Sequence, residues 1–164
     1  MFKYFKILHK KFNRISIIVI LGSCLILVAT SFAQSADCLP TKPDSLGPYY
    51  KPGSPERSSV GKGYLLEGVV KSSSDCSPVL GAKIEFWMTG PGGDYDDNHR
   101  ATVYSNSNGK YSFESNFPKD YLWRPPHIHI QITVDGFKKL ITQHYPQKGN
   151  TKDTFDLVLI PAKK

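Results

Sequence analysis

The sequence predicts an all-β protein, a single antiparallel β-sandwich of about seven to eight strands with an extended N-terminal arm. Short segments that alternate polar and apolar residues recur from Gly63 to the end of the chain, as half-buried strands do. Turn residues separate these segments, and no segment has the longer apolar period of a helix. The segment before Gly63 is rich in proline, which excludes a helix there.

The first 33 residues differ in character from the rest of the chain. Met1–Arg14 is basic and contains no acidic residue, Ile15–Ala33 is almost wholly apolar, and Ser31–Ala33 offers small residues for cleavage. This order predicts a signal peptide over residues 1–33. Two alternatives stay open: an uncleaved membrane anchor, and a lipid attached at Cys24.

Cleavage after Ala33 leaves 164 − 33 = 131 residues, enough for one sandwich-sized core. The five basic residues of the leader are lost, so Lys+Arg falls from 21 to 16 against 14 Asp+Glu, and the net charge falls from +7 to +2. The basic balance therefore predicts no nucleic-acid partner. We expect an exported protein, periplasmic or extracellular, in which Cys38 and Cys76 form a disulfide. Two unpaired buried thiols are the alternative.

The predicted arm spans residues 34–62, and the predicted sandwich domain spans residues 63–164. Asn108-Gly109 predicts a hairpin between two of the strands, and Asp135-Gly136 predicts the turn between two others. The predicted strands are, in order, residues 64–70, 82–88, 101–105, 110–114, 127–134, 139–143 and 155–160.

Two histidines are candidates for a metal site. His127 and His129 lie two residues apart on a predicted strand and therefore project to the same face. Such a pair alone is more often an ordinary polar face than a metal site. Tyr121 lies six residues before His127, and Tyr95 lies in a glycine-rich loop that can bring it inward. Half-buried aromatic packing is the alternative for each tyrosine.

The same stretches resemble the intradiol ring-cleavage dioxygenase family. The likeness extends from about Asp44 to Gly149, in the order of the family's motifs. The similar segments are Gly47–Tyr50, Gly81–Ala82 with Trp87, Gly93–Tyr95, Asn108–Phe113, Pro118–Tyr121, Arg124–His129 and Thr142–Tyr145.

The resemblance implies a mononuclear Fe(III) site held by Tyr95, Tyr121, His127 and His129, since phenolate and imidazole suit ferric iron. It implies that the enzyme uses O2 to cleave a catechol-type diol between its two hydroxylated carbons, giving a muconate-type diacid. Tyr121 would also accept a substrate proton. The remaining residues that the resemblance implies are the catalytic Arg124 and Gln143, and the substrate-contacting Tyr49, Tyr50 and Trp123.

Other interpretations of the sequence stay open. An exported β-sandwich module without catalysis, binding iron, catechols or another partner, explains the strands and the leader. Aromatic packing of the arm is the alternative for Tyr49 and Tyr50. A homo-oligomer is compatible with the sequence, and membrane contact is expected only through an uncleaved leader. The short interval between Tyr121 and His127 predicts an open cavity.

Overall fold

The computed structural model describes residues 38–163, which form eight strands in two four-stranded sheets. The predicted all-β sandwich is confirmed, and a single 3-10 turn at Asp97–His99 is the only helical element within these residues. The strands are β1 Tyr64–Ser72, β2 Lys83–Met88, β3 Arg100–Tyr104, β4 Lys110–Ser115, β5 Ile128–Thr133, β6 Leu140–His144, β7 Lys152–Thr154 and β8 Leu157–Leu159.

The two sheets differ in their strand pairing. One sheet has the order β3-β2-β5-β6 and is antiparallel throughout. In the other sheet, β4 pairs antiparallel to β1, whereas β7 and β8 pair parallel to successive halves of β1. These two parallel pairings depart from the predicted antiparallel pattern. Strand β7 has only three residues, too few to show a periodic pattern, and the sequence did not predict it.

The turn at Asn108-Gly109 is present, but the predicted hairpin is wrong. Strand β3 pairs with β2 in one sheet, and β4 pairs with β1 in the other, so this turn carries the chain between sheets. The Gly109 carbonyl accepts a hydrogen bond from the Val70 amide of β1 at 2.8 Å. Long-range pairing with β1 therefore determines where β4 lies, and the local turn signal does not.

Alternate side chains of both sheets meet in one core. On β5, Ile128, Ile130 and Ile132 are fully buried against the opposite sheet, while His129 and Gln131 lie on the other face of the strand. These outward residues are also buried, because the N-terminal arm covers this face. A strand buried on both faces is usual at the centre of a covered sheet.

The arm, described here from Cys38 to Lys62, adds hydrogen bonds to both sheets. The amide of Asp44 donates to the Ile141 carbonyl on β6 at 2.9 Å, and the amide of Val60 donates to the Glu114 carbonyl on β4 at 2.9 Å. The predicted disulfide between Cys38 and Cys76 is present and fastens the start of the arm to the turn after β1.

The predicted leader and Cys24 lie outside the described residues and remain predictions. Within residues 38–163 there is no helix with the length and apolar character needed to cross a membrane.

A buried polar cluster joins the two sheets at the end of β6. The Tyr64 hydroxyl on β1 contacts His144 Nε2 at 2.6 Å and donates to Asp153 Oδ2 at 2.7 Å. Burial lowers the pKa of His144, although the Asp153 carboxylate acts in the opposite direction. The cluster therefore holds a neutral histidine between the sheets at neutral pH.

Gly68 of β1 is required by a backbone contact. A Cβ at this position would lie 2.2 Å from the Phe155 carbonyl oxygen, between β7 and β8. We expect Gly68→Ala to lower the free energy of unfolding by about 2–4 kcal/mol, since the backbone at Gly68 or at Phe155 would have to shift to relieve the clash. Urea unfolding measures this loss. Gly92→Ala is the matched control, because its nearest neighbour would be 3.9 Å away, and an equal loss in both variants would contradict the explanation.

The pKa of His144 predicts an acid-sensitive fold. Its folded value lies below the ordinary 6.5, so its contribution to stability is complete above that pH and is lost as the pH falls. We expect His144→Gln, which cannot titrate, to lose less free energy of unfolding than the wild type between about pH 7.5 and pH 5. His127 and His129 contribute in the same direction and stay in both proteins. Parallel stability profiles of variant and wild type would refute this role.

Candidate functional site

The candidate site lies on the outer face of the antiparallel sheet, under the arm. His129 on β5 and His127 just before β5 are each 2% exposed. The ring of Trp87 on β2 stacks on His129 with centroids 5.0 Å apart and an interplanar angle of 7°. Gly47 of the arm closes the other side, where an added Cβ would lie 2.9 Å from His129 Cε1. Packing on both sides therefore fixes the orientation of the His129 ring.

Three side chains converge at this face. The Tyr95 hydroxyl lies 2.9 Å from His127 Nε2 and 3.2 Å from His129 Nε2. Ligands at right angles around an ion about 2.0–2.1 Å away are separated by about 3 Å. The phenol oxygen and the two imidazole nitrogens therefore stand at the spacing of neighbouring ligands of one metal ion.

The chemistry of the donors also fits a metal ion. Within residues 38–163, no group of three or more His, Cys, Asp or Glu side chains is arranged to hold a metal. The third donor beside the two histidines is the Tyr95 phenol. The Nδ1 of His127 donates to the Pro125 carbonyl at 2.7 Å, which leaves the lone pair of Nε2 facing Tyr95. A phenol beside two neutral imidazoles suits a hard cation such as Fe(III).

The electrostatics of the cluster keep its donors uncharged before a cation arrives. Burial lowers the pKa of His129 to about 3, and the nearby His127 and Arg124 act in the same direction. Burial raises the pKa of Tyr95 to about 12, although the charge of Arg124 acts against this rise. Both imidazoles can therefore bind a cation at neutral pH, while Tyr95 must release a proton to do so.

Tyr121 lies beside this cluster but forms no hydrogen bond with the histidines. Its hydroxyl is hydrogen-bonded to the hydroxyl of Tyr49, and its ring lies edge-on to Tyr95 with centroids 5.2 Å apart. Tyr49 in turn stacks on Tyr95, with centroids 4.5 Å apart. Three phenols are thus packed together, and only Tyr95 is within hydrogen-bonding distance of the imidazoles.

A tight turn follows Tyr121 and projects two apolar residues into solvent. Backbone hydrogen bonds in both directions join Tyr121 and Arg124, at 3.2 Å and 2.9 Å. Leu122 within the turn has a φ of 53°, in the left-handed region that costs a side-chain-bearing residue about 1–2 kcal/mol. Trp123 is 86% exposed, so most of its ring faces solvent, and its predicted contact with a substrate stays a prediction.

Arg124 and Gln143 meet on the same face. The Arg124 Nη2 donates to Gln143 Oε1 at 2.6 Å, and Gln143 Nε2 donates to the Ser45 carbonyl at 2.5 Å. Gln143 pairs directly across from His129 in the sheet, which places the guanidinium near the imidazoles. Gln143 therefore fixes Arg124 and the arm, and its polar atoms are occupied by these contacts.

Tyr50 has a different place from Tyr49. Its hydroxyl donates to Glu85 Oε2 at 3.3 Å and accepts from Gln131 Nε2 at 3.0 Å, and its ring lies edge-on to Trp87. Glu85 is only 2% exposed. Tyr50 thus anchors the arm to the sheet behind Trp87, which is the packing alternative that the sequence left open.

Two residues at the site were not predicted from the sequence. Tyr145 contacts Arg124, and Asp44 of the arm contacts Tyr145. Tyr145 belongs to the segment Thr142–Tyr145 that carries part of the resemblance. It stands two residues after Gln143, just past the end of β6, and this spacing was an available signal for a shared face. Asp44 lies about 100 residues away in the chain, and no local pattern connects it to the site.

Comparison with known proteins supports the same family. The chain is 28% identical over 148 residues to a chlorocatechol 1,2-dioxygenase of Pseudomonas sp. (strain P51), covering 70% of this chain and 59% of that protein. It is 25% identical over 170 residues to the intradiol ring-cleavage dioxygenase prcA of Aspergillus niger, covering 82% of this chain and 54% of that protein. The chain thus spans little more than half the length of these relatives.

A solved structure with nearly full coverage is the dioxygenase domain of a dioxygenase carbohydrate-binding protein fusion from Streptomyces sp. SirexAA-E. It has a TM-score of 0.68 and 28% identity, and the match covers 75% of this chain and 99% of that domain. No family profile matches the chain. The resemblance seen in the sequence is nevertheless confirmed: the curated relatives and the structural neighbours of this chain are intradiol ring-cleavage dioxygenases.

Proposed function

We propose that this protein is an intradiol ring-cleaving dioxygenase, which uses Fe(III) and O2 to open a catechol-type diol between its two hydroxylated carbons, giving a muconate-type diacid. The observation that carries the proposal is the convergence of the Tyr95 hydroxyl with His127 Nε2 and His129 Nε2 at 2.9 Å and 3.2 Å. The family of its relatives supports the same reaction.

Tyr95, His127 and His129 would hold the iron, with Tyr121 as the fourth ligand from its adjacent position. When bound, Fe(III) supplies a Lewis acid and an acceptor of electron density from the catecholate. The pre-oriented histidines and the fixed Tyr95 phenol limit the side-chain motion needed to take up the ion, because packing already holds them in place.

The phenol pair formed by Tyr121 and Tyr49 would handle protons. A catechol must lose its hydroxyl protons to bind as a dianion, and Tyr121, which would be a phenolate as an iron ligand, could accept one of them and become a neutral phenol. The Tyr49 hydroxyl, bonded to the Tyr121 oxygen, would share the proton after transfer. This role needs Tyr121 close to the cluster, and its edge-on packing against Tyr95 supports that.

Arg124 would stabilise negative charge on the ring. Its charge acts on the pKa of Tyr95 and of both histidines, so it lies within electrostatic reach of the cluster. A fixed cation at that distance favours an anionic ring over a neutral one. The exposure of Trp123 and Leu122, in the turn after Tyr121, favours a site that is open to substituted catechols.

The proposed location is outside the cytoplasm, in the periplasm or the extracellular space. The basic and apolar leader carries this proposal, and the Cys38–Cys76 disulfide supports it, because such bonds persist in oxidising compartments. The proposed partners are the catechol-type substrate and O2.

Oxygen uptake tests the proposed reaction. The purified, iron-loaded protein is mixed with catechol, protocatechuate or hydroxyquinol in air, and we expect equimolar loss of O2 and of one of the diols, with a ring-opened diacid as product. A coloured protein that binds catechol without O2 uptake would be an iron- and catechol-binding module. A protein that takes up no iron would be a β-sandwich module of another kind.

The Tyr95 and Tyr121 phenolates are expected to give the iron form its visible colour. We expect Tyr95→Phe to remove the Tyr95 share of the visible absorption, about half of it, and to weaken iron binding at least about 10-fold, the size of effect seen when groups at a metal site are altered. Visible spectra and iron titrations measure both changes. Tyr104→Phe is the matched control, because Tyr104 is 48% exposed at the end of β3, outside the site. Full colour in Tyr95→Phe would refute the ligand assignment.

A further inference from the structure

Tyr145 connects the arm to the cationic residue of the site. It lies one residue after β6, and its hydroxyl is 2.8 Å from Arg124 Nη2, 2.9 Å from Asp44 Oδ2 and 3.0 Å from Gln143 Oε1. Its ring lies beside His127, with centroids 6.0 Å apart. The function described above assigns Tyr145 no role.

The direction of each hydrogen bond follows from the number of protons. The Tyr145 hydroxyl has one hydrogen, and the Asp44 carboxylate is a stronger acceptor than the amide oxygen of Gln143. Tyr145 therefore donates to Asp44 and accepts from Arg124 Nη2. The second hydrogen of Nη2 goes to Gln143 Oε1 at 2.6 Å. A continuous chain thus runs from Asp44 through Tyr145 to Arg124.

These contacts fix one corner of the guanidinium and leave the rest available. Arg124 Nη2 is saturated, whereas Nε and Nη1 form no hydrogen bond to any part of the chain that the structure describes. A long, flexible arginine side chain that is held at one nitrogen can present its other donors in a fixed direction. Gln143 alone would leave the group free to pivot about a single contact.

We propose that Tyr145, anchored by Asp44, is a positioning residue that holds the Arg124 guanidinium beside the Tyr95–His127–His129 cluster, and so makes the action of Arg124 depend on the docked arm. This inference rests on the proposed function, in which Arg124 stabilises the anionic ring. Asp44 belongs to the arm and Tyr145 to the sheet, so the chain of hydrogen bonds forms only when the arm covers the site.

Kinetics of conservative variants test the role. For the iron-loaded enzyme with catechol, we expect Tyr145→Phe to lower kcat about 10-fold, the effect of one hydrogen bond to a charged group. KM, iron content and the visible spectrum of the substrate-free protein should stay within about twofold of the wild type. Asp44→Asn should lower kcat less, because the Tyr145 hydroxyl remains. Tyr104→Phe should leave all four quantities unchanged.

The double variant shows whether Asp44 and Tyr145 affect kcat through the same series of hydrogen bonds or independently. Because Asp44 acts through Tyr145, we expect Tyr145→Phe with Asp44→Asn to be no slower than Tyr145→Phe alone. Additive losses would overturn the proposal, as would a kcat within about twofold of the wild type in Tyr145→Phe. Should Tyr145→Phe fold poorly, Asp44→Asn, at an exposed arm position, still tests the chain through its effect on kcat.

A measurement on the metal-free protein separates this proposal from the proposed function. The Nη2–H protons of Arg124, identified in NMR spectra by their loss in Arg124→Lys, should exchange with water at least about fivefold faster in Tyr145→Phe than in the wild type, because Tyr145 accepts one of them. An unchanged exchange rate would overturn the positioning role even in an active enzyme. Faster exchange in a protein that cleaves no catechol would support the positioning of Arg124 by Tyr145 and reject the proposed reaction.

Discussion

The docking of the N-terminal arm against the outer face of the antiparallel sheet is the constraint on which the candidate site depends. That face carries His129, Glu85, Gln131 and Gln143, polar side chains that would otherwise be solvated on a sheet surface, yet each is at most 6% exposed. Burying such groups is unfavourable unless they find partners. The arm brings those partners from residues far away in the chain: the Ser45 carbonyl for Gln143 and the Tyr50 hydroxyl for Gln131 and Glu85.

Burial beneath the arm has an electrostatic effect that suits the proposed chemistry. It keeps the histidines neutral and Tyr95 protonated, so the site holds uncharged donors until a cation replaces the phenol proton. Arg124 is then the nearby fixed positive charge that remains for an anionic ligand. The cluster would thus bind the metal ion, and Arg124 would stabilise negative charge on the organic substrate.

The sequence predicted those parts of the molecule that local patterns encode. Strands β2, β4 and β5 show a clear alternation, and the placement of His127 and His129 on one face follows from strand geometry alone. The partners of β3 and β4 were not predictable, because sheet pairing depends on contacts that are distant in sequence. Strand β7 is formed by its pairing with β1 and not by its own three residues.

The site divides in the same way. The family motifs placed Tyr95, His127 and His129 together, and the structure has them in contact. Two other contacts join distant segments. Tyr121 is bonded to Tyr49, 72 residues away. Asp44 is bonded to Tyr145, 101 residues away, and reaches Arg124 only through that side chain. No pattern within a single segment encodes such contacts. The exposure of Trp123 likewise depends on the turn at Leu122. The residues of this turn are not ones that favour a positive φ, so the sequence does not predict it.

The disulfide between Cys38 and Cys76 links the arm covalently to the sandwich. A segment tethered in this way cannot diffuse from its sheet, so after each detachment it returns in an intramolecular step at a high local concentration. Oxidative maturation of a single cysteine pair is thereby linked to the integrity of a site elsewhere in the domain. In a reducing compartment the two sheets would keep their shared core, but the cover over His129 would be held by noncovalent contacts alone.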